Sequence, residues 1–346
     1  ASANGAQTNG INTASAGTVS ISKNIIAGIT ANDSAATTNT SVVGIIALAG
    51  TTSITNNFIG SSTLSNSLMN AASTGTGTNQ VTGISSSNTT TCTISGNSIR
   101  NLANQYQGTT AGAIVRGIGT SGGVNIINAN TIELLSNSSP QAGTNGSASV
   151  LGISQTSNLA GQSITNNIIR LLSSKSVNGN VVITGIYYNG SLTGNNIIEK
   201  NRIYDLNASS DTSVASINGI QVNGGHSTSD NNMISLGSDS SGNAYTSSNE
   251  YVGILKSTTG NNNFYFNSVN ISGAGVSSRI VNTCCFKRTI TGTDTLRNNI
   301  FYNGRSNSGS GGSHFSISLN VDSTISSGKN DLFGNGNGYL TGIAKT

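Results

Sequence analysis

A six-residue motif, Ile-x-x-Asn-x-Ile, recurs along the whole chain, and a typical copy runs from Ile94 to Ile99. Placing every copy identifies ten asparagines: Asn24, Asn57, Asn97, Asn130, Asn167, Asn201, Asn232, Asn267, Asn299 and Asn330. Successive asparagines lie 31 to 40 residues apart, with a mean of 34 (306 residues over nine steps). A sustained period of this length is typical of repeat proteins, in which each unit packs on its neighbours.

A second motif keeps the same period. It is a Gly-Ile pair after a short β-branched stretch, and its glycine lies 13 to 16 residues before the asparagine of the same copy. The glycines are Gly10, Gly44, Gly83, Gly117, Gly152, Gly185, Gly219 and Gly253. Cys285-Phe286 and Ser316-Ile317 occupy the equivalent position in the last two copies. Because two independent motifs share one period, we interpret the chain as ten copies of one unit.

A period near 34 residues also occurs in helical repeats of the tetratricopeptide and ankyrin types. The composition argues against helices, because Ile and Val dominate the apolar residues while Asn, Ser, Thr and 44 glycines fill much of the remainder. We therefore predict an all-β chain with one strand through the Gly-Ile motif and a second through Ile-x-x-Asn-x-Ile. A third strand is predicted where a leucine follows the second motif by three residues, as at Leu102, Leu135, Leu172 and Leu206.

Coils of two or three such strands, stacked about 4.8 Å apart, form a parallel β-helix. Equivalent residues then lie above one another, so the repeated asparagine is expected to form a ladder of side-chain amides at a corner. From about Gly10 to Phe333 the repeat resembles the right-handed parallel β-helix of the pectate-lyase-like superfamily. The resemblance implies one right-handed solenoid of about ten coils, a single domain over residues 1–346. It implies little about chemistry, since such proteins include lyases, glycosidases, tailspikes and adhesins.

Charge and composition exclude several functions. Only 8% of the residues are charged, and the net charge of +4 includes no basic cluster beyond Lys287-Arg288, which argues against nucleic-acid binding. No apolar run approaches the length of a membrane helix. We interpret Cys92, Cys284 and Cys285 as small buried residues. His226 and His314 are expected in loops without partners at ligand spacing, so no metal and no cofactor is predicted.

One outward column contains the best catalytic candidates. The position two residues before the asparagine reads Glu199, Asp230, Tyr265 and Arg297 on four successive coils. Neighbouring strands would place the two carboxylates about 5 Å apart, near the separation in retaining glycosidases. One carboxylate would act as acid and the other as nucleophile, while the tyrosine and arginine would bind sugar. The alternative interpretation is a solvated column, because elsewhere the same position is mostly Ser or Thr.

A second column lies three residues after the asparagine. It reads Arg100, Glu133 and Arg170 on successive coils and then Tyr204. Alternating charges on adjacent strands attract one another, so we expect these side chains to pair and to set the register. A ligand groove is the less favoured interpretation of this column.

The expected function is that of a non-catalytic structural or adhesive segment of a secreted or cell-surface bacterial protein. A polysaccharide lyase or glycoside hydrolase acting through Glu199 and Asp230 is the first alternative, and a carbohydrate-binding module is the second. Expected partners are neighbouring segments of the same chain, further copies of it, or surface polysaccharide, with no nucleic acid and no membrane span. Because neither end resembles a capping coil, the solenoid is expected to continue or to stack end to end.

Overall fold

The structure is a computed structural model that describes residues 7–31, 40–71, 78–87, 90–108, 112–139, 149–176, 181–209, 214–274, 281–308, 311–319, 323–334 and 340–345. These residues form 33 strands and no helix, and therefore no helix among them could span a membrane. The strands belong to three sheets, which form the walls of a parallel β-solenoid.

Each coil contributes a strand to each sheet in turn. The first sheet consists of Gln7–Thr13, Thr40–Ala47, Asn79–Ser86, Ala113–Thr120, Val150–Gln155, Val182–Asn189, Ser216–Gly224, Glu250–Lys256, Thr283–Arg288, His314–Leu319 and Leu340–Lys345. The second consists of Thr18–Ser22, Thr51–Thr55, Thr91–Ser95, Val124–Asn128, Ser163–Thr165, Ile197–Glu199, Thr228–Asp230, Asn263–Tyr265, Gly292–Arg297 and Ser323–Gly328. The third consists of Ile25–Ile26, Phe58–Ile59, Ser98–Asn104, Thr131–Asn137, Ile168–Ser174, Arg202–Ala208, Met233–Leu236, Ser268–Ile271, Ile300–Asn303 and Asp331–Gly334, with Ile29–Ala31 and Leu68–Asn70 beside them.

The pairing is parallel and its register follows the sequence repeat. Ile94, for example, pairs with Ile54 of the previous coil and with Ile127 of the next. The prediction of an all-β parallel solenoid with a period near 34 residues is confirmed. The predicted number of ten coils is slightly off, because the first sheet has eleven strands and the last of them, Leu340–Lys345, lies beyond the tenth copy of the repeat.

The Ile-x-x-Asn-x-Ile motif is a corner, so the prediction of one strand through it is wrong. The second-sheet strand ends two residues before each asparagine, and the third-sheet strand begins directly after it. The residue directly before each asparagine has a left-handed φ of 52° to 67° in all ten copies. These residues are Lys23, Asn56, Gly96, Ala129, Asn166, Lys200, Asn231, Phe266, Asn298 and Lys329. Only one of these is glycine, although a left-handed φ costs about 1 kcal/mol for other residues. Contacts at the corner must therefore compensate.

Those contacts are the predicted asparagine ladder, which is confirmed over the whole series. The backbone N–H and the Nδ2 of Asn57 both donate to Oδ1 of Asn97, at 2.9 Å and 2.9 Å. Nδ2 of Asn57 also donates to the carbonyl of Ile21 in the preceding coil, at 3.0 Å. The first pattern links every neighbouring pair from Asn24 to Asn330. One buried amide per coil thus satisfies the polar groups on the inner side of a tight turn.

The core inside the walls consists of stacked apolar columns. Ile54, Ile59 and Ile45 come from the three sheets and are fully buried. The glycine of the Gly-Ile motif is required by this packing. A Cβ on Gly44 would lie 2.6 Å from the carbonyl oxygen of Gly83 and 2.6 Å from Cγ2 of Ile59. The recurring glycine therefore lets the first sheet approach the third without a side chain between them.

Replacing one ladder asparagine should destabilise the solenoid. In Asn167→Ala, the backbone N–H and Nδ2 of Asn130 lose their acceptor, and the carbonyl of Ile127 loses a donor. Because unpaired buried polar groups cost about 1–3 kcal/mol each, we expect a loss of about 3 kcal/mol in the free energy of unfolding, measured by thermal and urea melts. Asn158→Ala is the control, since Asn158 is exposed and should change stability by less than about 0.5 kcal/mol. Equal effects of the two substitutions would contradict the ladder's role.

Candidate functional site

The predicted catalytic column is aligned as expected at the end of the second sheet. Glu199 pairs in register with Asp230, Asp230 with Tyr265, and Tyr265 with Arg297. The four side chains therefore start from adjacent strands, which lie about 4.8 Å apart. The structure brings the predicted residues together, while their catalytic role stays a prediction.

The two carboxylates of this column differ in their surroundings. Oε1 of Glu199 lies 2.5 Å from Nζ of Lys200, a half-exposed lysine at the corner. Partial burial, followed by the neighbouring charge of Glu199, raises the pKa of Asp230. Oδ1 of Asp230 is shielded from solvent and accepts no hydrogen bond within the described part of the chain. A carboxyl of raised pKa beside an ion-paired carboxylate is an arrangement that can support acid–base chemistry.

The second column contains the ion pairs expected from its alternating charges. Glu133, whose side chain is only 4% exposed, lies 2.5 Å from NH2 of Arg100 and 2.5 Å from NH2 of Arg170. Arg170 also donates from NH1 to the hydroxyl of Tyr204, at 3.2 Å. Both oxygens of Glu133 are thus occupied by arginines of the two adjacent coils. This part of the column is a structural ladder across three strands.

Beyond Tyr204 the same face opens into a groove of about 650 Å³, here called the third-sheet groove. Its floor contains two columns that run across four adjacent strands in register. One column consists of Tyr204, Ser235, Asn270 and Tyr302, and the other consists of Arg202, Met233, Ser268 and Ile300. The catalytic column of the second sheet does not line this groove.

One side of the groove is a wall formed by the loop at 237–245. Ser238 and Ala244 form an antiparallel bridge within this loop. Asp239 accepts hydrogen bonds from the backbone N–H groups of Ser241 and Asn243, at 2.9 Å and 2.8 Å, and from Nδ2 of Asn243, at 2.7 Å. These hydrogen bonds lower the pKa of Asp239 and hold it as an anion. The wall is therefore a structured turn.

Asp205 of the third sheet holds the wall loop from one side. It accepts a hydrogen bond from the backbone N–H of Ser240, at 3.0 Å, and another from the hydroxyl of Tyr245. The pKa of Tyr245 is raised, first by burial and then by this hydrogen bond with Asp205. The tyrosine therefore stays protonated and continues to donate to Asp205.

A buried arginine holds the loop from below. The guanidinium of Arg305 is enclosed, and burial lowers its pKa. Its NH2 donates to the carbonyls of Tyr245 and Ser247, at 3.0 Å and 3.2 Å, and its NH1 donates to the carbonyl of Ser272, at 3.0 Å. The guanidinium also lies 4.6 Å from the ring centre of Tyr251. These contacts fix the base of the wall against the body of the solenoid.

Aromatic side chains lie at both ends of the groove floor. The ring of Tyr302 stacks on Phe333 of the next coil, with centroids 4.5 Å apart and an interplanar angle of 3°. At the other end, the guanidinium of Arg202 lies 4.7 Å from the ring centre of Tyr204. Between them Met233 and Ile300 are 58% and 52% exposed. The floor therefore combines exposed apolar surface with amide and hydroxyl groups.

The sequence already contained part of the signal for this groove. Continued past Tyr204, the column three residues after the asparagine reads Ser235, Asn270, Tyr302 and Phe333, an aromatic–polar–aromatic series. The predicted ion-pair ladder covered only Arg100, Glu133, Arg170 and Tyr204, and the later residues were not predicted as a site. The position of the wall loop has no counterpart in the repeat.

A second ladder, also missed in the sequence, lies at the start of the second sheet, five residues before the asparagine. The backbone N–H of Asn125 donates to Oε1 of Gln162 at 3.0 Å, and that of Gln162 donates to Oδ1 of Asn196 at 3.1 Å. Further along, the backbone N–H of Asn262 donates to Oδ1 of Asp294 at 2.8 Å. Because the members of this ladder are Asn, Gln and Asp, a search for one repeated residue type does not find it.

Asp294 also belongs to a buried charged cluster at the adjoining corner. Its other carboxylate oxygen pairs with NH1 of Arg288, and both side chains are fully buried. Lys256 is buried beside them and donates from Nζ to the carbonyl of Thr258, at 2.9 Å. Burial lowers the pKa of Lys256 to about 8. Two cations share one carboxylate here, and none of the three is exposed to a ligand.

The cysteines and His314 are buried. Cys92, Cys284 and Cys285 are free thiols and buried, as interpreted from the sequence, and burial raises the pKa of Cys284 to about 12. His314 is not in a loop as expected, because it is the buried first residue of a first-sheet strand. Burial lowers its pKa to about 4. Within the described ranges, no three His, Cys, Asp or Glu residues are grouped so that they could hold a metal ion.

No protein-family model matches the chain, and neither a curated protein nor a solved structure is similar to it at a significant level.

The buried cluster predicts that Lys256 contributes more to stability as the pH rises. Between pH 8 and 10.5 the folded chain has released the Lys256 proton while the unfolded chain retains it, so the contribution of Lys256 to the free energy of unfolding increases with pH. The buried cysteines, whose pKa is raised, contribute in the opposite direction above pH 9, so the contribution of Lys256 is the difference between the unmodified protein and Lys256→Met. Lys256→Met should lose this increase and be more stable than the unmodified protein at pH 7 by about 1–3 kcal/mol. Thermal melts from pH 7 to 11 measure both effects.

Lys287→Met is the matched control for that measurement. Lys287 is the neighbouring lysine, and it pairs with Glu250 at 2.5 Å where both side chains are about a quarter exposed. Because such a partly exposed ion pair contributes little to the free energy of unfolding, Lys287→Met should keep the pH dependence of the unmodified protein. The same pH dependence in Lys256→Met and in the unmodified protein would contradict the assignment.

Proposed function

We propose that the chain is a non-catalytic structural and adhesive solenoid of a secreted or cell-surface bacterial protein. The observation that carries this proposal is the continuity of the structure: the asparagine ladder links every coil from Asn24 to Asn330 without a break. Each coil contacts its neighbours through three sheets, which suits a persistent, rod-like scaffold. The resemblance of the repeat to pectate-lyase-like β-helices is consistent with this role, since adhesins occur among such proteins.

The charged side chains support a non-catalytic role as well. Glu133 and Glu250 are paired with arginines and a lysine, and Asp294 is enclosed with Arg288. Apart from these pairs, the described surface is mainly Asn, Ser and Thr. A neutral exterior of hydroxyl and amide groups suits contact with neutral polar polymers and with further solenoid segments.

A second candidate function is polysaccharide cleavage at the Glu199–Asp230 pair. The observation in its favour is the raised pKa of Asp230 beside the ion-paired Glu199. Two neighbouring carboxyl groups, one acting as acid and the other as nucleophile, are the arrangement that retaining glycoside cleavage requires. This candidate competes directly with the proposed non-catalytic role, and the same assay separates them.

The assay is incubation of the purified chain with pectin, alginate and glycosaminoglycans, followed by reducing-end and unsaturated-uronate detection. We expect no turnover by the unmodified protein, and no difference between it and Glu199→Gln or Asp230→Asn. Turnover that both substitutions reduce by at least a hundredfold would overturn the non-catalytic proposal. Asp239→Asn is the control, since that carboxylate is already occupied by its own loop.

The location is tested separately on the bacterium that produces the protein. Antibodies against the chain should label intact cells or detect the protein in the culture medium. Labelling only after the cells are permeabilised would contradict a surface role.

A further inference from the structure

We propose that the third-sheet groove binds a neutral oligosaccharide, oriented along the solenoid axis. The inference rests on the proposed adhesive function and names the ligand class and its site. The groove lies on the third sheet and the Glu199–Asp230 column on the second, so either the sugar site or the catalytic candidate can be disproved without the other.

The shape of the groove fits an extended ligand. Tyr204 and Tyr302 lie on the first and fourth of four adjacent strands, which are separated by three strand spacings, or roughly 14 Å. The residues between them in the same column, Ser235 and Asn270, are short, and the loop at 237–245 encloses one side. An oligosaccharide of two or three sugar rings fills such a space. Each ring then lies about one coil further along the solenoid axis than the ring before it.

The chemistry of the floor favours a sugar. Sugar rings have apolar C–H faces and polar hydroxyl edges. The exposed Met233, Ile300 and Tyr302 provide apolar surface. Between them Nδ2 of Asn270 donates to Oγ of Ser235 at 3.3 Å, and the remaining donor and acceptor capacity of these two side chains is directed to the groove. Because Tyr302 stacks on Phe333 on the side of the next coil, its other ring face is directed toward the coil of Asn270. Aromatic faces beside convergent polar groups are typical of small-molecule sites.

The charge balance favours a neutral ligand. The groove contains one cation, Arg202, and one anion, Asp239. Arg202 lies over the ring of Tyr204, and Asp239 accepts three hydrogen bonds from its own loop. With one cation and one anion in its lining, the groove has no net charge to attract a polyanion such as pectate or alginate. An uncharged oligosaccharide needs no oppositely charged side chain in the groove.

The groove is also pre-formed. The wall loop is held by Asp205 and Arg305 as described above, so little ordering is needed when a ligand binds. Tyr245, which donates its hydroxyl to Asp205, is thus a positioning residue that does not line the groove.

The test is calorimetric titration of the whole chain with cellohexaose, xylohexaose, mannohexaose and maltohexaose, and with acidic galacturonate and alginate oligomers of the same length. We expect at least one neutral oligomer to bind with a Kd below 1 mM, and the acidic oligomers to bind at least tenfold more weakly. Binding by none of the neutral oligomers at that limit, or preference for an acidic one, would overturn the proposal.

Variants then locate the site. Tyr302→Ala and Asn270→Ala should each weaken binding about tenfold, whereas Tyr302→Phe keeps the ring and should retain most of the affinity. Phe58→Ala is the matched control, because Phe58 is an exposed aromatic residue of the same sheet outside the groove, and it should leave the Kd unchanged. Unchanged binding in the first two variants, with melts showing that they fold, would overturn the site.

The positioning role of Tyr245 is tested with Tyr245→Phe, which removes only the hydroxyl bonded to Asp205. The expected result is a severalfold weaker Kd together with faster hydrogen exchange confined to the loop at 237–245. Full affinity with a loosened loop would show that the wall is not part of the binding site.

Discussion

The whole structure depends on a left-handed corner that is stabilised by one asparagine amide in each coil. The backbone must turn from the second sheet to the third at a single residue of positive φ, and in nine of ten copies this residue is not glycine. The asparagine of each inner turn is buried, so the polar groups around it need partners. Each amide accepts hydrogen bonds from the asparagine of the coil before it, and it donates to the asparagine of the coil after it and to a carbonyl of the preceding coil. Asn57 makes these contacts with Asn24, Asn97 and Ile21 respectively. One residue type therefore specifies the corner, the rise from coil to coil and the register between the coils.

Once the register is set, each position becomes a column, and the columns restrict what each coil can contain. Like charges one spacing apart repel, which explains why only 8% of the residues are charged. Opposite charges that align are paired, as in the contacts of Glu133 with Arg100 and Arg170, whereas Glu199 and Asp230 are a like-charged exception. The apolar columns of the core are restricted as well, because the side chains of adjacent coils must share a fixed volume. Ser229 occupies an isoleucine position in the core directly beside the larger Phe264, and both are fully buried. A small residue on one coil thus accommodates a large residue on the next.

The groove arises where the repeat is interrupted. After Leu236 the loop at 237–245 rises beside the outer face of the third sheet and is held by a buried arginine. The ladder supplies a rigid floor of evenly spaced side chains, and the loop supplies the side wall. This division, with a regular scaffold and an irregular loop, is the usual way in which binding specificity is added to a repeat protein.

The sequence by itself determined the strand class, the period, the asparagine ladder and the membership of the outward columns, because all of these depend on residues that recur at a constant spacing. It did not reveal that the Ile-x-x-Asn-x-Ile motif bends at its centre, since the left-handed residue varies from Lys23 to Phe266 and has no common side chain. It also missed the ladder at Asn125, whose members differ in type. Only the tertiary structure decided where the groove lies. Its wall and its anchor, Arg305, are about 60 residues apart in the chain and meet through contacts that no local pattern encodes.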